Sequence, residues 1–254
     1  PPLMKGQVPA VLIVCLSLLS CESHTVDQIK VVVPAGVTVP EGMVYIPEGE
    51  FIMGHPEDPR TRLGKKVNTA AYLIDRYEVT REDYAKFDPR PVVDEGKGAW
   101  PRVLLNFAEA EAHCKRRGGR LPTEAEWEKA ARGIDGRTWP WLNFFEHPNN
   151  GFSGFLAEPV DRRPEWISPY GLYGMGHNVW EWVADDYGYA GQPLADRGRF
   201  KVIRGGLTQT HLTIKFTPTY FRNWMDPEAR YNFLGFRCAK EMDREGSGSP
   251  EKKG

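Results

Sequence analysis

The chain has 254 residues and a net charge of −1, from 33 Lys and Arg against 34 Asp and Glu. Such a balance leaves no global field to draw the protein to nucleic acid, and a 41% apolar content is enough to bury a core, so a basic nucleic-acid binder and a disordered chain are both excluded. The 26 Gly, 21 Pro and 8 Trp describe one loop-rich, aromatic-rich domain with flanking segments, and argue against a helical bundle.

Met4-Lys5 precedes an apolar run from Val8 to Leu19. The run is too short to span a bilayer as a mature helix and reads as a secretory signal. It ends in Leu18-Leu19-Ser20-Cys21, which resembles the bacterial lipoprotein signal. That resemblance implies cleavage and lipidation at Cys21. Residues 1–21 are then a signal peptide with a lipobox-like end. The protein is expected to be exported and membrane-anchored through lipid, in the bacterial periplasm or at the cell surface. An ordinary signal peptide and an uncleaved anchor are the alternatives.

Residues 22–40 lack helical period and read as a linker, although Ile29 to Val33 suits an edge strand. The folded domain is expected over residues 41–240, and 241–254 form a solvated, disordered tail. Met43 to Gly54 holds two short strands around Pro47-Glu48-Gly49, and Tyr72 to Val79 is another strand. Thr80 caps a short helix with Tyr84 and Phe87 on one face. Asn106 caps FAEAEAHCKRR, which stops at Gly118-Gly119. Thr123 caps EAEWEKAAR, with Glu126 completing a capping box, Gly133 as the stop, and Trp127, Ala130 and Ala131 as the inward stripe. Beyond Gly133 only Val179 to Val183 and Lys201 to Ile203 keep a strand pattern. Asn178 to Trp182 alternates polar and apolar positions, as a strand with two unlike faces does. Outside the signal only Cys114 and Cys238 lie in the folded part; a disulfide and two separate buried thiols are both open readings.

Familiar catalytic patterns are missing. The six His make no metal-ligand spacing, and there is no GxSxG, phosphate-binding glycine loop or Cys-x-x-Cys. His177 and His211 stand alone in loops. Glu181 has two readings: a calcium ligand, since calcium takes carboxylates and carbonyls in irregular loops, or the partner of a buried Arg. Arg204 to Arg237 holds five basic and two acidic residues, suited to binding anions or to bracing loop carbonyls.

One ordered set of segments goes further. MVYIPEGEFIMG, YLIDRYEVT, GRLPTEAEWEKAARG, WPW, SPYGLYGMGHNVWEWV, VIRGG and GFRCA follow one another from Met43 to Ala239. The series resembles the formylglycine-generating enzyme family, also called the sulfatase-modifying factor family. The resemblance implies an α+β fold: a single mixed α/β domain with little regular secondary structure, C-type-lectin-like. It also implies an oxidase that binds copper through two cysteines in the loop after Arg204-Gly205-Gly206. Those positions fall on Thr210 and Lys215, and neither can supply the soft thiolate that selects Cu(I), so copper is not expected. The family's calcium sites are eroded as well. Gly174 stands where a carboxylate or amide is expected, and His177 replaces a glycine. Glu181 and, near the other site, Asn150 remain as candidate calcium ligands.

The expected function is therefore that of a non-catalytic member of the family. It would act as a binding or structural component of the cell envelope, with a protein or glycan partner or the subunits of a membrane complex. Thr208, Gln209, His211, Arg222 and Trp224 form the candidate binding surface, because aromatics and Arg anchor such surfaces. A metal-dependent oxidoreductase of altered chemistry is the alternative.

Overall fold

The computed structural model describes residues 28–57, 64–88, 96–141, 157–188, 198–206 and 217–242. The chain opens with two short strands, β1 (Met43–Ile46) and β2 (Gly49–Met53), separated by Pro47, which cannot donate to a ladder. β3 (Lys65–Thr69) and β4 (Tyr72–Asp75) follow. Three helices come next: α1 (Arg81–Ala85), α2 (Phe107–Arg116) and α3 (Glu124–Arg132). The second half holds a short 3₁₀ turn at Pro164–Trp166 and the strands β5 (Trp180–Asp186), β6 (Lys201–Gly205), β7 (Asn223–Met225), β8 (Leu234–Phe236) and β9 (Ala239–Glu241). Among the described residues no helix is long and apolar enough to cross a membrane.

The strands form sheets in the orders β1-β4-β9, β2-β3 and β7-β6-β5-β8. In the last, β5 runs antiparallel to β6 and parallel to β8. β3 was not foreseen: its sequence KKVNT alternates charge with a single Val, and its strand state comes from pairing with β2 in the register Glu50↔Asn68 to Met53↔Lys65. The Tyr72 strand is shorter than expected, ending at Asp75.

The helix ends follow from capping. Thr80 Oγ1 accepts from Asp83 N at 3.0 Å. Thr123 Oγ1 accepts from Glu126 N at 3.2 Å, while Glu126 Oε2 accepts from Thr123 N at 2.8 Å. Asn106 and Glu109 make the same reciprocal pair at 3.0 and 3.1 Å. Each pair satisfies two amides that lack an intrahelical partner.

Two apolar clusters flank β5. Trp182 packs with Tyr84, Leu105, Cys114 and Phe236 on one side, and Val183 packs with Trp127, Ile74 and Leu172 on the other. The expectation of a strand with one polar face is thus corrected: residues 180–183 are all buried, because β5 is an inner strand covered on both faces. Cys114 and Cys238 are joined in a disulfide with Cα atoms 5.4 Å apart, which settles the open choice between paired and separate cysteines. The close approach of α2 to β9 also needs Gly119, where a Cβ would lie 2.5 Å from the Ala239 carbonyl oxygen.

The segment expected as linker is laid on the domain from its described start. Ile29 does not add a strand; its N–H donates to Pro169 O at 2.8 Å, and Ile29 and Val31 pack against the second cluster. At the other end β9 runs to Glu241, one residue into the expected tail.

Candidate functional site

The helix α3 supplies the centre of the site. Glu124, Glu128 and Arg132 fall at i, i+4 and i+8, so all three leave one face of the helix. Arg204, at the end of β6, donates to Glu124 Oε1 at 2.8 Å and to Glu128 Oε2 at 2.7 Å. Its Nη2 also donates to the Thr219 carbonyl. Arg222 closes on Glu124 from the other side, with Nε to Oε1 at 2.7 Å and Nη2 to Oε2 at 2.9 Å. Arg132 donates to Glu128 at 2.8 Å and to the carbonyls of Gly54 and Arg137. All five side chains are buried, so each charge is held by a partner where water cannot solvate it. Lys129 is buried on the same helix, donating to Pro47 O, Gly49 O and Thr69 Oγ1. Burial lowers its pKa to about 8.

Arg204 and Arg222 bracket residues 207–216, the stretch where the resemblance leads one to expect the family's active site, and both end on Glu124. The downstream end is further fixed by Thr219 N donating to Thr138 O at 2.7 Å and Trp139 Nε1 donating to Thr217 Oγ1 at 3.1 Å. Thr208, Gln209, Thr210, His211 and Lys215 lie outside the described residues, as do Asn150 and Cys21. Arg222 requires a correction. It was expected on an exposed binding surface and is instead a buried brace, because the Glu124 carboxylate and the Gly188 carbonyl, at 2.7 Å, take its donors. Trp224 is 47% exposed, with its ring 4.5 Å from that of Phe200 and 6.5 Å from that of Tyr187. Glu124 and Glu128 were missed as site residues. Their i, i+4, i+8 spacing with Arg132 is the signal the sequence offers for them.

A second buried constellation surrounds Glu181. Its Oε1 accepts from Arg237 Nη2 at 2.7 Å, and its Oε2 accepts from Arg237 Nε at 2.7 Å and Trp127 Nε1 at 2.9 Å. Arg237 also donates to the carbonyls of Asp75, Arg76 and Tyr173. Of the two readings of Glu181, the one with a buried Arg partner is the arrangement present. Glu78 lies beside it, accepting from Asn178 Nδ2 at 3.0 Å. Burial raises its carboxyl to about 8, opposed by Arg237 and reinforced by the Glu181 charge. Gly174 makes room for it: a Cβ there would stand 2.4 Å from the Glu78 carboxyl carbon. His177 is sealed against Trp166 and Trp141, with ring centroids at 5.1 and 6.3 Å, and burial lowers its pKa to about 3.

These surroundings do not fit a calcium ion at Glu181. The carboxylate is saturated by N–H donors, and the side chain that would complete a ligand set is absent at Gly174. Among the described residues no group of three or more His, Cys, Asp or Glu side chains is arranged to hold a metal. Nor is there a thiol pair, since Cys114 and Cys238 are joined.

The model of the sulfatase-modifying factor enzyme 1-like domain matches residues 28–242. The chain belongs to the sulfatase-modifying factor family. The inactive Cα-formylglycine-generating enzyme 2 of Mus musculus is 29% identical over 316 residues, covering 96% of each chain. The uncharacterized protein YfmG of Bacillus subtilis is 27% identical over 271 residues, covering 81% of this chain, which spans 55% of that protein's length. In fold the chain is similar to PvdO from Pseudomonas aeruginosa, with a TM-score of 0.65 at 24% identity, covering 83% of this chain and all of that one. The expected fold class is therefore the observed one: a mixed α/β, C-type-lectin-like domain with few helices, of the formylglycine-generating enzyme type.

Proposed function

We propose that this chain is an exported, lipid-anchored and non-catalytic member of the sulfatase-modifying factor family, serving as a binding or structural component of the cell envelope. One observation carries the non-catalytic part. The span matched by the family holds only two cysteines, Cys114 and Cys238, and they are spent on a buried disulfide. No thiolate pair remains for Cu(I). Thr210 and Lys215, at the positions the resemblance assigns to those thiolates, offer a hydroxyl and an ammonium instead. The mouse relative described as inactive is in keeping with this reading. The disulfide itself suits an oxidising compartment, and so export. Trp224, half exposed at an edge strand, is an aromatic anchor for a protein or glycan partner. Calcium at Glu181 is not part of the proposal, because Arg237 already supplies the positive charge there.

Elemental analysis with thiol titration of the purified full chain, prepared without reductant or chelator, tests this reading. The expected result is no stoichiometric copper or iron, and no thiol from Cys114 or Cys238 until the chain is both unfolded and reduced. Copper or iron at one atom per chain would overturn it and restore the metal-dependent oxidoreductase.

A further inference from the structure

The C-cap residues of α1 and α2, Lys86 and Arg117, line one cavity together with Asp75 at the end of β4 and Glu41 ahead of β1. Its volume is about 460 Å³, within the range of small-molecule sites. None of its lining residues belongs to the network of Glu124, Glu128, Arg204 and Arg222. Tyr77, Val79 and Phe87 supply apolar wall. Phe87 is 43% exposed, a large ring that the core leaves uncovered.

Charge decides what this cavity can hold. Four carboxyl side chains, Glu41, Asp75, Glu78 and Asp83, line it against the two cations Lys86 and Arg117. Both cations are already matched. Arg117 donates to the two oxygens of Asp75 at 2.8 and 2.9 Å, and Lys86 donates to Asp83 at 2.7 Å. Glu41 and Glu78 are left over. Glu41 is exposed and pairs with no cation among the described residues. Glu78 is 1% exposed, and its Oε2 has no hydrogen-bond partner among them. Arg237, the cation that acts on Glu78, is itself paired with Glu181 at 2.7 Å. A buried acceptor without a donor is costly, and an incoming N–H removes that cost. The carbonyl end of α2 adds to the preference for positive charge. An anion would instead meet two unmatched carboxyls. Among the described residues no three His, Cys, Asp or Glu side chains are grouped to hold a metal, so an organic cation fits better than an ion.

We propose that this cavity binds a small organic ammonium ion, held by the unmatched carboxyls of Glu41 and Glu78, with its apolar body against Tyr77 and Phe87. Aromatic faces in the wall strengthen the hold on such a charge. The proposal uses neither the lipid anchor nor the positions of the missing thiols, so it stands or falls separately from the function proposed above.

The test is a ligand-observed NMR titration of the purified full chain at pH 7 with two probes, tryptamine and indole-3-propionate, which share a ring system and carry opposite charge. Tryptamine is expected to bind with a Kd of about 1 mM or tighter, and the acid at least about tenfold more weakly. Phe87→Ala and Glu41→Gln change exposed side chains, and each should weaken tryptamine binding about threefold or more. Glu78→Gln keeps the shape and the acceptor for Asn178 Nδ2, and should weaken it about tenfold. Absence of tryptamine binding at about 10 mM, equal affinity for the two probes, or unchanged affinity in both Phe87→Ala and Glu41→Gln would overturn the proposal.

Discussion

Helices α2 and α3 begin in the same way and end up in different surroundings. Both open with a reciprocal capping box, Asn106 with Glu109 and Thr123 with Glu126. In α2 the buried residues are Ala110, His113 and Cys114, a single stripe set against hydrocarbon, aromatic rings and a disulfide. In α3 every residue except Ala125 is buried, charged ones included. A chain can engulf a helix rich in Glu, Lys and Arg only if every charge meets a counter-charge or a ring of oxygen acceptors. Arg204, Arg222 and the β2 carbonyls supply these for α3. The α2 side is closed by apolar burial and a covalent bond, and the α3 side by matched ions.

This contrast predicts an order of sensitivity. Glu128→Ala would leave Arg204 and Arg132 each short of a carboxylate in the dry interior, at a cost of about 3–5 kcal/mol, measured by urea unfolding at pH 7. If the loss were under about 1 kcal/mol, the ion network would be incidental to the α3 side. On the α2 side, replacing both Cys114 and Cys238 by Ala is expected to cost about 2–4 kcal/mol in the same measurement, through freedom regained by the unfolded chain.

His113 sharpens the comparison through pH. It is fully buried, stacked on Tyr84 at 4.8 Å and edge-on to Phe87 and Phe236, and neither ring nitrogen has a hydrogen-bond partner among the described residues. Burial, with Arg117 and Arg116 nearby, lowers its pKa to about 4. Between pH 6.5 and 4 the unfolded state then binds the proton and the folded state does not, so stability falls as pH falls through that window. His113→Phe should remove on the order of 2 kcal/mol of this acid-side loss, read from melts at pH 7 and pH 4.5. An unchanged pH profile would mean that the imidazole charges in place. The smallest effect is expected at the caps. Asn106→Ala and Thr123→Ala should each cost about 1 kcal/mol, and the Thr123 change should cost no more than the other, since packing and ion pairs already hold α3.

Local signals made much of the fold legible. Capping residues, stop glycines and apolar stripes placed the three helices within a residue or two, because those signals act over a single turn. What escaped was decided by distant partners. KKVNT became a strand by pairing with β2, and the polar positions of Asn178 to Trp182 turned inward because apolar clusters cover both faces of β5. The basic stretch from Arg204 shows the same limit. Its arginines brace carbonyls and carboxylates, as one of the two sequence readings had it, yet nothing local to Arg222 distinguishes a brace from a binding residue. The partner, Glu124, lies 98 positions away.

The disulfide has a consequence for how this scaffold can vary. It closes a covalent ring with a sequence separation of 124, and that ring contains α3, the four-stranded sheet and both stretches 189–197 and 207–216. The entropic penalty of closing a ring grows only with the logarithm of its size. Ten residues inserted after Gly206 would therefore change it by about 0.1 kcal/mol, and the penalty of the shorter span held between Arg204 and Arg222 by about 0.4 kcal/mol. Because Arg204 and Arg222 pin both ends of the stretch to one carboxylate, new sequence there inherits a fixed base. Diversification of that stretch is then nearly free of thermodynamic penalty, which is the condition under which one fold can be retuned to many partners.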